Sequence, residues 1–430
     1  MEAIVVEPEL KNSVMNKLDK SDREFHDWYR FVLSFPPHLV QRYIKEFGLT
    51  DSDLLLDPFC GSGTTVLEAK LNGIPAIGIE ANNFAHLASN VKTDWNVDAS
   101  ALRAAAEKLK TAANKKLARL NNGAAIGSIT LRMLTDEQAK LILKDSISPL
   151  PLHRSLVLLD ELKKYKNTNL YKYLTLAFGT ATVYHNSNLR FGPEVGIGKM
   201  KADVDVVANW YGIITKMCDD LDSVMGKVSP PTDIVLSDAR DMKSALHGRS
   251  ISAVITSPPY PNEKDYTRTT RLESVLLGYI TSREELRKLK KSLLRSNTKG
   301  VYKGDTDDEW VTGFPEIQRI AEEIEQKRIE MGKTSGFEKL YAKVTKLYFG
   351  GMAKHLEDLR DFLTPGAHLA YVVGDQASFL RIMIPTGKIL GDIAKSLGYE
   401  LVRIDLFRTR FSTATKSNLN EEVVVLRWNG

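Results

Sequence analysis

Asp57-Pro58-Phe59-Cys60-Gly61-Ser62-Gly63-Thr64-Thr65 follows the apolar run Leu54-Leu55-Leu56 and leads into the helical pattern Val66-Leu67-Glu68-Ala69-Lys70-Leu71. A strand that turns through two glycines into a helix presents bare backbone N–H groups to whatever binds at the helix start. Gly61 and Gly63 permit close approach because neither carries a Cβ. Asp57, at the strand's end, can accept hydrogen bonds from an ammonium or hydroxyl group. Gly73 stops the helix, and the stretch from Pro75 to Glu80 reads as a second strand ending in an acid. Glu80 falls about twenty residues beyond the glycines, where nucleoside-binding α/β units keep the carboxylate that holds ribose hydroxyls. A phosphate-cradling loop needs Lys and then Ser or Thr after its last glycine, and Gly63 is followed by Thr64-Thr65, which argues against a nucleoside triphosphate. A dinucleotide fold wants three spaced glycines, whereas two close ones stand here.

A second specific stretch is Thr256-Ser257-Pro258-Pro259-Tyr260, at the end of the apolar run Ile251 to Ile255. Its prolines fix φ and supply carbonyls without competing N–H donors, which makes a rigid rim at a strand end. A lone Pro-Pro is commonly just a strand-to-loop stop. Further strand-like runs lie at 233–238, 368–374, 399–406 and 422–428, and helical patterns separate most of them. Strands alternating with helices predict a mostly parallel sheet covered on both faces, with the last two strands as an antiparallel hairpin. A helical pattern also covers 135–144. The polar, glycine-rich stretch 185–199 reads as a loop that lines a substrate cleft or contacts DNA, or else as a long connector.

The 430 residues suffice for a large core plus sizeable insertions, and 43% hydrophobic with 26% charged residues is an ordinary globular composition. No apolar run is long enough to span a membrane, and the first residues lack the pattern of a signal peptide. Two cysteines, Cys60 and Cys218, have no metal-type spacing, so no metal site is expected and a reducing cytoplasm is the expected setting. The net charge of +5 permits a polyanionic partner. Arg287, Lys288, Lys290, Lys291, Arg295, Lys299 and Lys303 cluster just after the second motif, as a solvated helix face or as a phosphate-contacting surface.

The first stretch resembles the cofactor loop of S-adenosylmethionine-dependent DNA amino-methyltransferases, Asp-Pro-Phe-x-Gly-x-Gly-Thr-Thr, which Asp57, Pro58, Phe59, Gly61, Gly63, Thr64 and Thr65 match. The second resembles the catalytic motif of the same family. The resemblance implies a seven-stranded, mostly parallel Rossmann-like methyltransferase sheet with helical insertions, and S-adenosylmethionine as cofactor. It implies that Phe35 and Pro36 lie beside the methionine part of the cofactor, that Glu80 holds its ribose, and that Asp238, with Ala239 after it, accepts from its adenine. Ser257, Pro258, Pro259 and Tyr260 are then catalytic: Ser257 and the Pro258 carbonyl accept the hydrogens of an exocyclic amine, and Tyr260 stacks on a base rotated out of the duplex.

In the family, Ser at the Ser257 position usually accompanies cytosine methylated at its 4-amino group, and Asp accompanies adenine. The loop precedes the catalytic motif here, whereas many Ser-Pro-Pro-Tyr enzymes run in the opposite order, so adenine stays open. So do an RNA amino-methyltransferase and a silent DNA-recognition subunit. The implied partners are double-stranded DNA and a cognate restriction endonuclease or defence-system subunit, with no membrane. The expected organisation is an N-terminal segment (1–24), a catalytic domain (25–99 and 233–430), a helical insertion that is a candidate target-recognition region (100–232), and an elaboration with DNA contacts (261–350).

Overall fold

Apolar side chains in the central strands alternate between two cores, which tells that helices cover both faces of one sheet. The structure, a computed structural model, describes residues 18, 21–31, 34–121, 130–192, 194–227, 229–262, 264–412 and 415–430. Most of the 1–24 segment therefore lies outside the described residues. In chain order the strands are β1 (Leu55–Asp57), β2 (Ala76–Glu80), the short β3 (Leu189–Phe191) and β4 (Val195–Ile197), β5 (Thr232–Leu236), β6 (Ile251–Thr256), β7 (Leu363–Gly374), β8 (Glu400–Ser412) and β9 (Ser417–Arg427). Seven of them form one sheet in the order β5-β2-β1-β6-β7-β9-β8. It is parallel except for β9, antiparallel to both of its neighbours. This is a Rossmann-like α/β sheet of the expected class.

Leu56, Val254, Leu369, Tyr371, Val373, Val424 and Leu426 face one core, under the helices Tyr341–Arg360 and Thr386–Ser396. Leu55, Ala253, Ile255, Ala370, Val372, Val423 and Val425 face the other, under Pro37–Glu46 and Thr64–Leu71. The period-2 alternation is what a strand buried on both sides requires. From β1 the chain proceeds outward to β2 and β5, then returns to place β6 on the other side of β1. The strand order therefore reverses between β1 and β6, and a crevice opens at that point in an open α/β sheet.

The 100–232 region builds a third core on the helix Asn83–Thr93. Leu102, Leu109, Leu158, Leu162, Phe178, Trp210 and Ile214 meet Phe84, Ala88 and Val91 there. Gly179 permits that approach, since a Cβ would lie 2.3 Å from the Phe84 ring. Phe25, Trp28 and Tyr29 also join this core, so that part of the aromatic segment is packing.

The region is not wholly helical. The stretch expected as a polar loop, 185–199, contains the β3–β4 hairpin, whose strands of three residues each are too short for alternation to register. The helix expected over 135–144 shrinks to Asp136–Ala139: Thr135 and Gln138 cap each other, but burial of Leu141 and the left-handed turn at Asp145 take over beyond it. Residues 261–350 divide between cores. Leu272 and Leu276 pack with the 100–232 region, whereas Ile317, Ile320 and Ile324 of the helix Pro315–Glu330 pack under the sheet.

Candidate active site

Adjacent parallel strands put both motifs at one edge, because Leu56 of β1 lies level with Val254 of β6. Two hydrogen bonds then tie the tips together. Thr256 Oγ1 donates to Asp57 Oδ1 at 2.6 Å, and Thr65 Oγ1 donates to the Ile255 carbonyl at 3.1 Å. Asp57 and Thr256 are 0% exposed, so this junction is sealed from water. Asp57 Oδ1 also accepts the Phe59 N–H, but Oδ2 has no partner. Burial pushes this carboxyl up to about 6.

The glycines do what their position demands. Gly61 and Gly63 both have positive φ, 55° and 88°, and Gly63 is the N-cap of the helix Thr64–Leu71. A Cβ on Gly63 would also come within 2.9 Å of Ser89 Cβ. Glu80, at the end of β2, fixes the loop from the next strand: Oε2 accepts the Gly61 N–H at 2.8 Å and Oε1 accepts the Asn82 N–H at 2.7 Å. Burial pushes Glu80 up to about 7. Beneath the loop Lys92, 1% exposed, donates from Nζ to the Ser62 carbonyl at 2.9 Å, and burial lowers its ammonium to about 7.

At the second tip, Ser257 Oγ donates to the Val372 carbonyl of β7 at 3.1 Å. With its hydrogen committed there, what the hydroxyl offers the cleft is lone pairs. The Tyr260 N–H donates to Tyr266 Oη at 3.1 Å. The Tyr260 ring lies on Gly374 of β7, where a Cβ would come within 2.9 Å of it, and burial pushes its hydroxyl well above the ordinary range.

Both tips line a single cleft. The profile of the family described as "DNA methylase" matches residues 9–90, a span that holds the glycine loop and β2. The chain is 25% identical over 422 residues to Type II methyltransferase M.BsoBI of Geobacillus stearothermophilus, covering 90% of this chain and 81% of that protein. Both likenesses are to DNA methyltransferases. Type II methyltransferase M.AvaI of Nostoc sp. is 28% identical over 160 residues, 35% of this chain and 31% of its own length. Among solved structures, TrmN from Thermus thermophilus aligns over 94% of this chain and 52% of its own at 11% identity, with a TM-score of 0.31; the fold assignment rests on strand order instead.

Of the residues expected at the site from the sequence, Phe35, Pro58, Phe59, Gly61, Thr64, Glu80, Asp238, Ala239 and Ser257 to Tyr260 line the cleft. Pro36, Asp57, Gly63 and Thr65 stand behind its wall: Pro36 as the N-cap of the helix Pro37–Glu46, the others as the framework of the loop. β5 ends at Leu236, so Asp238 sits on the turn beyond the strand. Arg240, two residues on, grips it from Nε at 3.0 Å and Nη2 at 2.7 Å. The same guanidinium reaches Asp307 at 2.5 Å and the Lys291 carbonyl at 2.9 Å, which joins this end of the cleft to the 261–350 elaboration.

Arg240, Lys92 and the cleft-lining Lys264, Arg408, Arg410 and Glu421 were not found from the sequence. Arg240 had a local signal in Asp-Ala-Arg, since an Arg two residues from an acid can reach back to it. The others come from distant segments. No described residue between 185 and 199 lines the cleft, so that stretch is not the cleft wall that its composition suggests. Among the described residues no His, Cys, Asp and Glu group could hold a metal, and no helix is long and apolar enough to cross a membrane.

Within the basic cluster two cations are consumed internally. Lys290 pairs with Asp265 at 2.7 Å, and Arg295, 5% exposed, pairs with Asp305 at 2.9 Å. Arg287, Lys288, Lys291, Lys299 and Lys303 are exposed, and among the described residues none of them makes an ion pair within 4 Å. Arg287 and Lys291 lie over the Tyr302 ring. The segment Ser292-Leu293-Leu294 that follows the helix Arg283–Lys291 lines the cleft, so these charges flank its mouth.

Proposed function

We propose that this protein is a site-specific DNA methyltransferase that modifies the exocyclic 4-amino group of cytosine, with S-adenosylmethionine as the methyl donor. The observation that carries the reading is the bonded junction of the glycine loop and the Ser-Pro-Pro-Tyr tip in one cleft. The residues present fit the donor. Glu80, on the cleft wall, keeps lone pairs that can accept from ribose hydroxyls, and Asp57 braces the glycine loop from behind that wall. Phe31 and Phe35 supply apolar wall, and Asp238 a carboxylate for the adenine end. Bound there, the donor supplies an electrophilic methyl on a sulfonium sulfur.

Everything else asked of the site falls to the chain's own groups. An aromatic amine is a poor nucleophile because its lone pair is delocalised into the ring. Ser257 Oγ and the Pro258 carbonyl accept its two hydrogens, which favours a pyramidal nitrogen and offsets the positive charge it gains. Tyr260, braced against Gly374, stacks on the extruded base. The wall of the cleft fixes orientation and keeps water out.

Sequence readout is assigned to the 100–232 and 261–350 regions, since base edges are reached only by elements projecting past the strand ends. The exposed cations after the second motif are assigned to backbone phosphates. Replacing Lys288, Lys299 and Lys303 by Ala should reduce the slope of log K against log salt by about 2 to 3, at roughly 0.9 per lost phosphate contact. An unchanged slope would make them a solvated face. The relatives' Type II designation makes a cognate restriction endonuclease the partner to seek. Radiolabelled methyl transfer to duplex DNA and to transfer RNA tests the reading: label in the duplex alone is expected, and label in RNA alone, or in neither, overturns it.

A further inference from the structure

Three acids line the cleft among the described residues: Glu80, Asp238 and Glu421. Glu80 spends both oxygens on backbone N–H groups of the glycine loop, and Asp238 is gripped by Arg240 at the far end of the donor side. Glu421 alone stands with the Ser-Pro-Pro-Tyr tip. It arrives there from β9, where the register sets it opposite Gly374 of β7 and Arg408 of β8. A Cβ on Gly374 would lie 2.9 Å from the Tyr260 ring and 3.3 Å from Glu421 Cγ, so ring and carboxylate stem meet over the same backbone position.

The carboxylate is oriented as well as placed. Arg408 Nε donates to Glu421 Oε2 at 2.5 Å, and Arg410 Nε lies 3.9 Å from Oε1 without a hydrogen bond of its own. Oε1 thus keeps acceptor capacity, and the residue is only 8% exposed. A carboxylate oxygen whose neighbour is only a long ion pair, here to Arg410, keeps lone pairs for a further hydrogen bond.

Resting on the methyltransferase reading, we propose that Glu421 is the carboxylate that faces the target base, sharing with Ser257 one N–H of the exocyclic amine and offsetting the positive charge that its nitrogen acquires. The need for it follows from Ser257. A hydroxyl is a neutral acceptor, and charge-assisted hydrogen bonds are roughly twice as strong as neutral ones. In this chain the motif itself brings no carboxylate to the reacting nitrogen, and β9 brings one from 164 residues away along the sequence. Arg408 then holds Glu421 in place, and Tyr260 fixes the ring it acts on.

The variants Glu421→Gln and Glu421→Asp, assayed in the full chain with duplex DNA, test this assignment. Glu421→Gln keeps shape and removes charge, so kcat should fall about 100-fold while the Kd values for S-adenosylhomocysteine and duplex stay within threefold and the Tm within about 2 °C. Glu421→Asp should recover part of the rate. Wild-type kcat in Glu421→Gln overturns the role. A rate loss that tracks a fall in Tm and is not recovered by Asp also overturns it, leaving Glu421 as a brace between β8 and β9. The wild-type control separates the two levels. An active wild type with an indifferent Glu421→Gln sinks this inference alone, whereas a wild type that methylates no duplex sinks the reading beneath it.

Discussion

Tyr260→Ala is expected to lower methylation of duplex DNA about 100-fold while donor binding changes less than threefold. Stacking on an aromatic ring contributes about 1–3 kcal/mol per base, and this ring is the aromatic face beside Ser257 and Pro258. The ring also covers Gly374, so its loss leaves a gap against β7. Tyr260→Phe keeps the ring and isolates the hydroxyl, and its rate should remain within a few-fold of wild type. Steady-state kinetics with calorimetry of S-adenosylhomocysteine decides between roles. Equal losses of rate and donor affinity would show that Tyr260 supports the cleft wall rather than the base.

Asp57→Ala should be the most damaging single change. It removes the acceptor of the Thr256 hydroxyl and the Phe59 N–H, leaving one buried donor unpaired at about 1–3 kcal/mol and a second, half-buried one without its partner. The strand-end junction loosens, and the glycine loop that forms the cleft wall loses its anchor. We expect a drop in Tm of several degrees and donor binding weakened by more than 100-fold. Asp57→Asn preserves most of the junction and removes the charge. If it binds S-adenosylhomocysteine as tightly as wild type, Asp57 is a structural clamp only.

Much of this arrangement was legible in the chain. The strand-glycine-helix signal worked because Gly61 and Gly63 occupy backbone conformations other residues avoid, which makes the pattern local and position-specific. The apolar runs in Ile251 to Ile255 and in β9 were readable as strands because both faces are buried. That the two motifs meet followed from strand order, which a βαβ reading constrains.

What escaped were groups set by tertiary register. Nothing near Glu421 in sequence marks it, because its neighbours at the cleft are Gly374 and Arg408 across two strand pairings. Lys92 reads as one more helical lysine until the fold buries it under Ser62. The β3–β4 hairpin escaped for the opposite reason: six residues are too few for periodicity. The basic cluster divides between internal pairs and solvent-facing charges only once Asp265 and Asp305 are placed.

Mass spectrometry of nucleosides from duplex DNA incubated with the protein and S-adenosylmethionine tests the central claim most directly. The account predicts N4-methylcytosine that depends on Ser257 and Tyr260. N6-methyladenine in its place would contradict the assignment of the base, and unmodified nucleosides would contradict the assignment of the cleft as a catalytic centre.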